Sequence, residues 1–337
     1  MTVRASLRSV QVARFSPLLS LALAMFFLPF ASGCLSFHRG PMPGEPKAAT
    51  YARLEGARVR YSDSAEGAPD DEKRKPAVVM VHGFASSLET WVQVAPAVRR
   101  AHRVVSLDLK GFGWTDRPEG DYSPEAQARI VLRLMDHLGI ARASLVAHSW
   151  GSSVALSATL AAPERVDRIA LYDAWIYEEQ LPVFFQWARA SGVGEMMFAT
   201  WYKERADERM ALAFFDRSHV TEELIQAVDA ALERPGTVAA ALAAVRGQRF
   251  ASLEGRYRSI TKKALLLWGR EDIVALPKYG ERLARELPGS RLVMYPRCGH
   301  FPMIEAREAS TRDLVAFLEE GEASPAASAG HGSREAP

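Results

Sequence analysis

The sequence predicts an α/β protein in which helices cover both faces of a mostly parallel sheet. Apolar runs of strand length alternate with helical patterns along most of the chain, and such alternation favours parallel strands. The run at residues 77–81 has no polar side chain, as expected for a strand that is covered on both faces. The 337 residues, 48% hydrophobic and 24% charged, suit one large or two modest globular domains.

Eight strands are expected in chain order. Residues 51–61 alternate weakly around a turn at Glu55-Gly56-Ala57 and predict an opening hairpin. The other six strands are expected at 77–81, 104–107, around Leu145, 169–172, 264–268 and 292–295. Helices are expected within 88–100, from Ser123 to about Leu138, from just after Ser149 to about Ala161, at 278–286 and at 305–320.

Residues 174–255 interrupt this alternation. They contain no strong strand pattern but several helical stretches that are rich in aromatic and methionine side chains. We therefore predict a helical cap at 174–255, inserted into a sheet domain formed by 51–173 and 256–320. A cap that rests on a sheet must present an apolar underside, and that underside would line a cleft.

Ser149 stands at the apex of an abrupt turn from a strand to a helix, in Ala147-His148-Ser149-Trp150-Gly151. Small residues on both sides of the serine allow the backbone to fold back tightly. Such a corner holds the hydroxyl in front of the sheet and places the Trp150 N–H at a helix N-terminus, where it can stabilise a developing negative charge. A serine that merely caps a strand–helix turn would show the same pattern, so the rest of the chain must decide.

Two further residues could complete a nucleophilic site with Ser149. A serine hydroxyl needs a base, and His300 follows the last strand; the base needs an orienting acid, and Asp272 follows the seventh strand. Loops at the carboxyl ends of parallel strands meet at one edge of the sheet, so these side chains are expected to converge. Asp173, after the sixth strand, is an alternative acid, and Glu271 is a second one.

Together these motifs resemble the α/β-hydrolase family over about residues 51–320. The pentapeptide around Ser149 resembles its nucleophile elbow, G-x-S-x-G, with Ala147 in place of the first glycine, and the order serine, acid, histidine is the order of the family. The resemblance implies an α/β-hydrolase fold with an eight-stranded sheet, and a triad of Ser149, Asp272 and His300. It also implies an oxyanion hole made by the backbone N–H groups of Phe84 and Trp150.

Other motifs are assigned structural roles. His82-Gly83 resembles the family's signature after the third strand, and His82 is expected to brace the oxyanion loop. Residues 108–116 resemble the family's D-x-x-G-x-G-x-S-D loop, and Asp108 and Asp116 are expected to brace this glycine loop. His148 is expected to pack under the elbow, and Cys298 to be a small buried residue.

The N-terminus predicts export. Three arginines precede an apolar stretch at 18–31, which is shorter than the roughly 20 residues of a membrane-spanning helix, and Ser32-Gly33-Cys34 follow. We predict a signal peptide at 1–33. Cys34 resembles the lipidated cysteine of bacterial lipoproteins, although Ala31 stands where that family usually has leucine. The protein is thus expected in the bacterial cell envelope on a lipid anchor; ordinary cleavage and an uncleaved anchor are the alternatives.

Two further segments are predicted to lie outside the folded domains. Residues 34–50 are rich in proline and glycine and predict a flexible tether. Residues 321–337 are rich in serine, alanine, glycine and proline and predict a disordered tail. The chain has two cysteines, and if Cys34 carries lipid, Cys298 is left without a disulfide partner.

The expected function is hydrolysis of a carboxylic ester through an acyl-enzyme, on a small molecule with an apolar acyl or alcohol group. A net charge of +2 gives no electrostatic reason to expect a nucleic-acid partner, and no motif predicts a cofactor or a metal. Lactonase, C–C bond hydrolase and perhydrolase-like activities are alternatives on the same triad. A non-catalytic surface lipoprotein that binds a ligand without turnover is a fourth alternative.

Overall fold

The computed structural model describes residues 35–320. The predicted signal peptide, the lipidation of Cys34 and the predicted tail at 321–337 lie outside these residues. Within them, an eight-stranded sheet carries helices on its faces, and a helical insertion lies between the sixth and seventh strands. No helix in the 35–320 range is both long enough and apolar enough to cross a bilayer.

The sheet confirms the predicted fold class. Its strands are β1 Thr50–Leu54, β2 Ala57–Asp63, β3 Ala77–Val81, β4 Arg103–Leu107, β5 Ala143–His148, β6 Val166–Tyr172, β7 Lys263–Gly269 and β8 Ser290–Tyr295. They are ordered β1-β2-β4-β3-β5-β6-β7-β8; β1 and β2 pair antiparallel, β2 and β4 pair antiparallel, and the remaining neighbours are parallel.

The register aligns the ends of the central strands. Val81 of β3 pairs with Ala147 of β5, and Ala147 pairs in turn with Leu171 of β6. The loops that follow these parallel strands therefore leave the sheet at one edge. This edge is where the candidate functional residues were predicted to meet.

Thirteen α-helices lie in the described part of the chain. They are α1 Asp70–Arg74, α2 Ala95–Val98, α3 Pro124–His137, α4 Gly151–Ala161, α5 Val183–Ala188, α6 Val193–Trp201, α7 Ala206–Ala213, α8 Glu222–Leu232, α9 Thr237–Gly247, α10 Ala251–Glu254, α11 Pro277–Glu286, α12 Pro302–Glu305 and α13 Arg307–Glu319. Helix α3 starts as predicted, with the Ser123 hydroxyl accepting a hydrogen bond from the Ala126 N–H at 3.2 Å.

Two predicted helices differ from the structure. The helix expected within 88–100 is a 3₁₀ turn at Leu88–Trp91 followed by the short α2, and Pro96 lies at the start of that helix. The helix expected at 305–320 begins earlier, as α12, and is interrupted at Ala306 before α13. Proline at the first positions of α2 and α12 favours a helix start there, because its missing N–H is not needed in the first turn.

Helices α5–α10 form the insertion, and within it no strand interrupts them. The insertion has an apolar cluster of its own, in which Phe198, Leu242 and Val245 are buried. Phe84, from the loop after β3, and Phe185 of α5 pack against this cluster as well as against the main core. The helical insertion is thus seated on the carboxyl edge of the sheet by aromatic contacts.

The structure corrects the prediction of a flexible tether for the described residues 35–49. His38 exchanges two backbone hydrogen bonds of 2.8 Å with Arg117, and Met42 is buried beside that arginine. Glu45 forms an ion pair with Arg58 of β2. Proline and glycine content suggested flexibility, but these long-range contacts hold the segment against the sheet domain.

Candidate active site

The turn around Ser149 has the geometry of a nucleophile elbow. Strand β5 ends at His148, α4 begins at Gly151, and Ser149 has a φ of +50°, which a residue with a side chain rarely adopts. The Ser149 N–H donates to the Tyr172 carbonyl at 2.9 Å, and the Ser149 carbonyl accepts from the Trp175 N–H at 3.1 Å. These bonds to the end of β6 stabilise a strained backbone that presents the hydroxyl at the sheet edge.

The start of α4 lies so close to the end of β3 that residue 151 must be a glycine. A Cβ there would lie 2.4 Å from the His82 carbonyl oxygen and 2.8 Å from that of Val81, which no side chain permits. The start of α4 can therefore approach the end of β3 only if residue 151 is glycine. This approach brings the loop after β3 beside Ser149.

The structure brings Ser149, His300 and Asp272 together. His300 Nε2 lies 3.0 Å from Ser149 Oγ, and His300 Nδ1 lies 2.7 Å from Asp272 Oδ2. Because Nδ1 faces a carboxylate, it carries the proton of the neutral imidazole, and the Nε2 lone pair is left to face the serine hydroxyl. All three side chains are buried, and Ser149 is 7% exposed.

Asp272 is held by more than the histidine. Its Oδ1 accepts hydrogen bonds from the N–H groups of Val274 at 2.7 Å and Ala275 at 3.0 Å. The carboxylate thus has a fixed orientation and three donors in all. Asp272, rather than the alternative Asp173, is the acid in contact with His300.

The loop that carries His300, residues 296–301 between β8 and α12, is called the histidine loop here and is fixed from two sides. The His300 N–H donates to the carbonyl of Ala213 at the end of α7, at 2.7 Å, so the insertion contacts this loop directly. On the other side, Nε2 of His148 bonds to the His300 carbonyl at 2.8 Å. Burial lowers the pKa of His148 well below its usual range, so His148 is neutral and donates through Nε2.

Glu305 forms a second link between the insertion and this loop. One carboxylate oxygen accepts from the Gly299 N–H at 2.7 Å, and the other accepts from the Asp216 N–H at 2.9 Å. Gly299 directly precedes His300, and Asp216 follows α7. Sequence analysis missed this residue, because a glutamate three residues after Pro302 shows no pattern that distinguishes it from an ordinary acid in the first turn of a helix.

His82 has the structural role predicted for it. Its Nε2 accepts from the Leu109 N–H at 2.9 Å, so Nδ1 must carry the proton that is donated to the Gly83 carbonyl at 2.7 Å. Burial lowers the pKa of His82, which favours this neutral form. A Cβ on Gly83 would lie 3.0 Å from Cβ of Ser149, so the loop that carries Phe84 lies against the serine.

The two predicted oxyanion donors belong to the segments that flank Ser149. The rings of Phe84 and Trp150 are in edge contact, with centroids 6.1 Å apart. The loop after β3 and the start of α4 are thus adjacent, as an oxyanion hole requires. The donor roles of these two N–H groups stay a prediction.

Asp108 and Asp116 brace the glycine loop as expected. Asp108 accepts from the N–H groups of Leu88 at 2.7 Å and Trp114 at 2.8 Å, and a Cβ on Gly113 would lie 2.1 Å from its Oδ2. Asp116 accepts from the Arg58 N–H at 3.0 Å. These carboxylates therefore hold backbone rather than substrate.

Aromatic side chains flank the triad on the side of the insertion. Phe185 of α5 contacts Phe84, with ring centroids 5.5 Å apart, and Phe214, just after α7, stacks on Phe301 at 4.8 Å. Phe301 in turn lies 5.6 Å from the ring of His300. Aromatic side chains of the insertion thus pack against the loops that carry Phe84 and His300.

The remaining candidate residues have other partners. Glu271 accepts from the Cys298 N–H at 3.0 Å, and burial raises the pKa of the Cys298 thiol, which disfavours a reactive thiolate. Asp173, Asp272 and His300 offer ligand atoms within 4.8 Å of one another, a spacing that a metal ion could use. In the structure, however, the carboxylate of Asp272 and the ring of His300 bind each other.

Comparisons with known proteins point to one family. A family model described as alpha/beta hydrolase fold matches residues 76–209. The chain is 31% identical over 255 residues to a 2-hydroxy-6-oxo-2,4-heptadienoate hydrolase of Pseudomonas putida, covering 72% of this chain and 88% of that protein. It is 29% identical over 283 residues to a 2-hydroxymuconate semialdehyde hydrolase of a Pseudomonas species, covering 80% and 93%.

Solved structures show the same similarity. A meta-cleavage product hydrolase from Pseudomonas fluorescens, solved as a mutant in complex with acetates, superposes with a TM-score of 0.68 at 25% identity. The match covers 80% of this chain and 97% of that one.

Proposed function

Because this chain belongs to the α/β-hydrolase family, we propose that its enzymatic activity is hydrolysis of a carboxylic ester with Ser149 as the nucleophile. The observation that carries the proposal is the chain of two hydrogen bonds, 3.0 Å from Ser149 to His300 and 2.7 Å from His300 to Asp272. A buried serine hydroxyl in this arrangement has a base in direct reach and an acid that orients the base.

The proposed reaction is acyl transfer to water. His300 Nε2 takes the Ser149 proton while Oγ attacks the substrate carbonyl carbon, and the N–H groups of Phe84 and Trp150 stabilise the oxyanion. His300 then protonates the leaving alcohol, which departs and leaves an acyl group on Ser149. Finally His300 deprotonates a water molecule, which attacks the acyl-enzyme and releases the acid.

A small molecule with an apolar acyl or alcohol group fits the site best. Phe301 contacts the His300 ring and stacks on Phe214, and Phe185 contacts Phe84, which belongs to the loop beside Ser149. Burial of apolar surface on binding is favourable by about 25 cal/mol for each Å² that is removed from water. A substrate with a longer apolar group is therefore expected to bind more tightly. Hydrolysis of a lactone needs the same attack and stays an alternative.

C–C bond hydrolysis is the second candidate. A specific observation favours it, because the relatives at 29–31% identity over most of their length are named as hydrolases of 2-hydroxy-6-oxo-dienoates and of 2-hydroxymuconate semialdehyde. The same nucleophile and base could serve a substrate in which a carbon, rather than an oxygen, leaves the carbonyl.

A substrate comparison separates these candidates. Protein lacking residues 1–34 is assayed with chromogenic esters of increasing acyl length and with a 2-hydroxy-6-oxo-dienoate, with Ser149→Ala as the control. We expect ester turnover that rises with acyl length and is lost in Ser149→Ala. Cleavage of the dienoate more than 100-fold faster than any ester would replace the ester proposal by C–C hydrolysis. No turnover of either class would support a ligand-binding lipoprotein.

We also propose that the protein is exported and anchored to a membrane through lipid on Cys34. The sequence of residues 1–34 supports this proposal, and Leu35, the first described residue, packs against the apolar cluster of the insertion. An anchor one residue earlier would hold the insertion close to the membrane. The insertion exposes two tryptophan side chains, Trp187 at 64% and Trp201 at 51%. Tryptophan is favoured at membrane interfaces.

Replacement of Cys34 by serine tests the anchor. We expect Cys34→Ser to move the protein from the membrane fraction of expressing cells to the soluble fraction, because a serine cannot accept the thioether-linked lipid. Cys298→Ser is the matched control and should stay with the membranes, since Cys298 is buried in the sheet domain. If Cys34→Ser still sediments with membranes, the lipid anchor is wrong.

A further inference from the structure

Asp173 is a buried carboxyl group that the proposed reaction does not use. It follows β6, is inaccessible to solvent, and has a φ of +44°. Its Oδ1 accepts a hydrogen bond from the Gly269 N–H at 2.9 Å. Its Oδ2 is buried as well, and within residues 35–320 no donor reaches it. An ionised carboxylate with an unpartnered buried oxygen is costly, and native proteins rarely keep one.

The surroundings of Asp173 make a negative charge there still less favourable. The carboxylate of Asp272 faces it, and oxygens of both residues lie within 4.8 Å of each other and of a ring nitrogen of His300. Glu305 adds a second negative charge, and the other titratable groups nearby, Tyr172 and Cys298, are neutral. Burial first, and then the Asp272 charge, raise the pKa of Asp173 well above its usual range.

Hydrogen bonding decides which of the two acids keeps the charge. Asp272 accepts three donors, from Val274, Ala275 and His300, whereas Asp173 accepts one, from Gly269. Hydrogen bonds to the charged form favour that form, so the negative charge belongs on Asp272 and the proton on Asp173. Two carboxylates this close do not both ionise readily, because like charges disfavour each other.

We propose that Asp173 is a protonated, neutral positioning residue whose Oδ2–H donates to the Asp272 carboxylate. This satisfies the oxygen of Asp173 that otherwise has no partner, and it gives Asp272 a fourth donor. A hydrogen bond from Asp173 disperses part of the negative charge that Asp272 presents to His300. The Asp272–His300 pair then attracts a further proton less strongly than it does without this bond. Asp173 would thus keep His300 available as a base at lower pH. The inference deepens the proposed function and rests on it.

The pH dependence of kcat/KM tests this role. The acid limb of the profile reports protonation of the essential base in the free enzyme. In Asp173→Asn, the neutral side-chain amide can still donate to Asp272 and accept from the Gly269 N–H. We therefore expect the acid limb of this variant at the wild-type pH, even if its maximal kcat/KM differs from that of the wild type. In Asp173→Ala the donor is lost, and we expect the acid limb to move to higher pH by roughly half to one unit.

Two outcomes would overturn the inference. A shift of the acid limb of Asp173→Asn to lower pH would mean that a negative charge, not a neutral group, had been removed. An acid limb of folded Asp173→Ala at the wild-type pH would mean that Asp173 has a merely structural role. Thermal melting checks that both variants are folded.

Infrared spectroscopy of the full-length protein gives a second readout that does not need turnover. The difference spectrum of wild type minus Asp173→Asn at neutral pH is expected to contain the carbonyl stretch of a protonated carboxyl group. A carboxylate band in its place would contradict the inference even if Asp173→Ala fails to fold. Since this measurement is independent of the substrate, it also separates failure of the inference from failure of the proposed function.

Discussion

Replacement of His300 by alanine is expected to lower kcat for ester substrates by about 10⁶-fold, the scale typical of losing the base of a serine triad. His300 Nε2 is the group in contact with Ser149 Oγ, at 3.0 Å, and a serine hydroxyl without a base is a weak nucleophile. The backbone bond of residue 300 to Ala213 does not depend on the side chain, so the loop should keep its contact with the insertion. Steady-state kinetics with the best ester found measures the effect.

His137→Ala is the matched control for this variant. His137 is an exposed histidine in the last turn of α3, remote from the triad in the fold, and its removal should leave kcat close to wild type. If His300→Ala kept more than about a tenth of the wild-type kcat while folded, some other group would have to be the base, and the proposed mechanism would be wrong.

Replacement of Asp272 by asparagine is expected to lower kcat by about 10⁴-fold. The amide oxygen can still accept from Val274 and Ala275, so the fold should be kept. The amide N–H, however, would face His300 Nδ1 and favour the tautomer with its proton on Nε2, which cannot accept the serine proton. Kinetics together with a thermal melt distinguishes this effect from unfolding.

Glu271→Gln controls for the neighbouring carboxylate. Its amide oxygen can still accept from the Cys298 N–H, and we expect activity near wild type. If Asp272→Asn kept most of the activity and Asp173→Asn lost about 10⁴-fold instead, Asp173 would be the triad acid, which is the alternative that the sequence left open.

The sheet and the position of the triad could be predicted from sequence because both depend on short-range patterns. The apolar run at 77–81 gives the bounds of β3, and a serine two residues from both Ala147 and Gly151, after an apolar run, marks the turn at Ser149. His300 and Asp272 are distant along the chain from Ser149, but the rule that parallel strands end at one edge was enough to bring them together.

Other features could not be predicted, since they arise from contacts between distant segments. Residues 35–49 look flexible by composition, yet His38 pairs with Arg117 and Glu45 with Arg58. Nothing near Glu305 in the sequence indicates that it joins the histidine loop to the insertion. Likewise, the sequence offered Asp173 and Asp272 as alternatives, and only the fold shows that both carboxyl groups lie at one place.

Covalent labelling is the most direct test of the central claim, that Ser149 is a nucleophile activated by His300. Wild-type protein and the Ser149→Ala and His300→Ala variants are treated with a fluorophosphonate, and intact mass and peptide mapping locate the adduct. We predict one adduct on wild type, at Ser149, none on Ser149→Ala, and a strongly slowed reaction in His300→Ala. Folded wild-type protein that stays unlabelled, or an adduct that maps to another residue, would contradict the account.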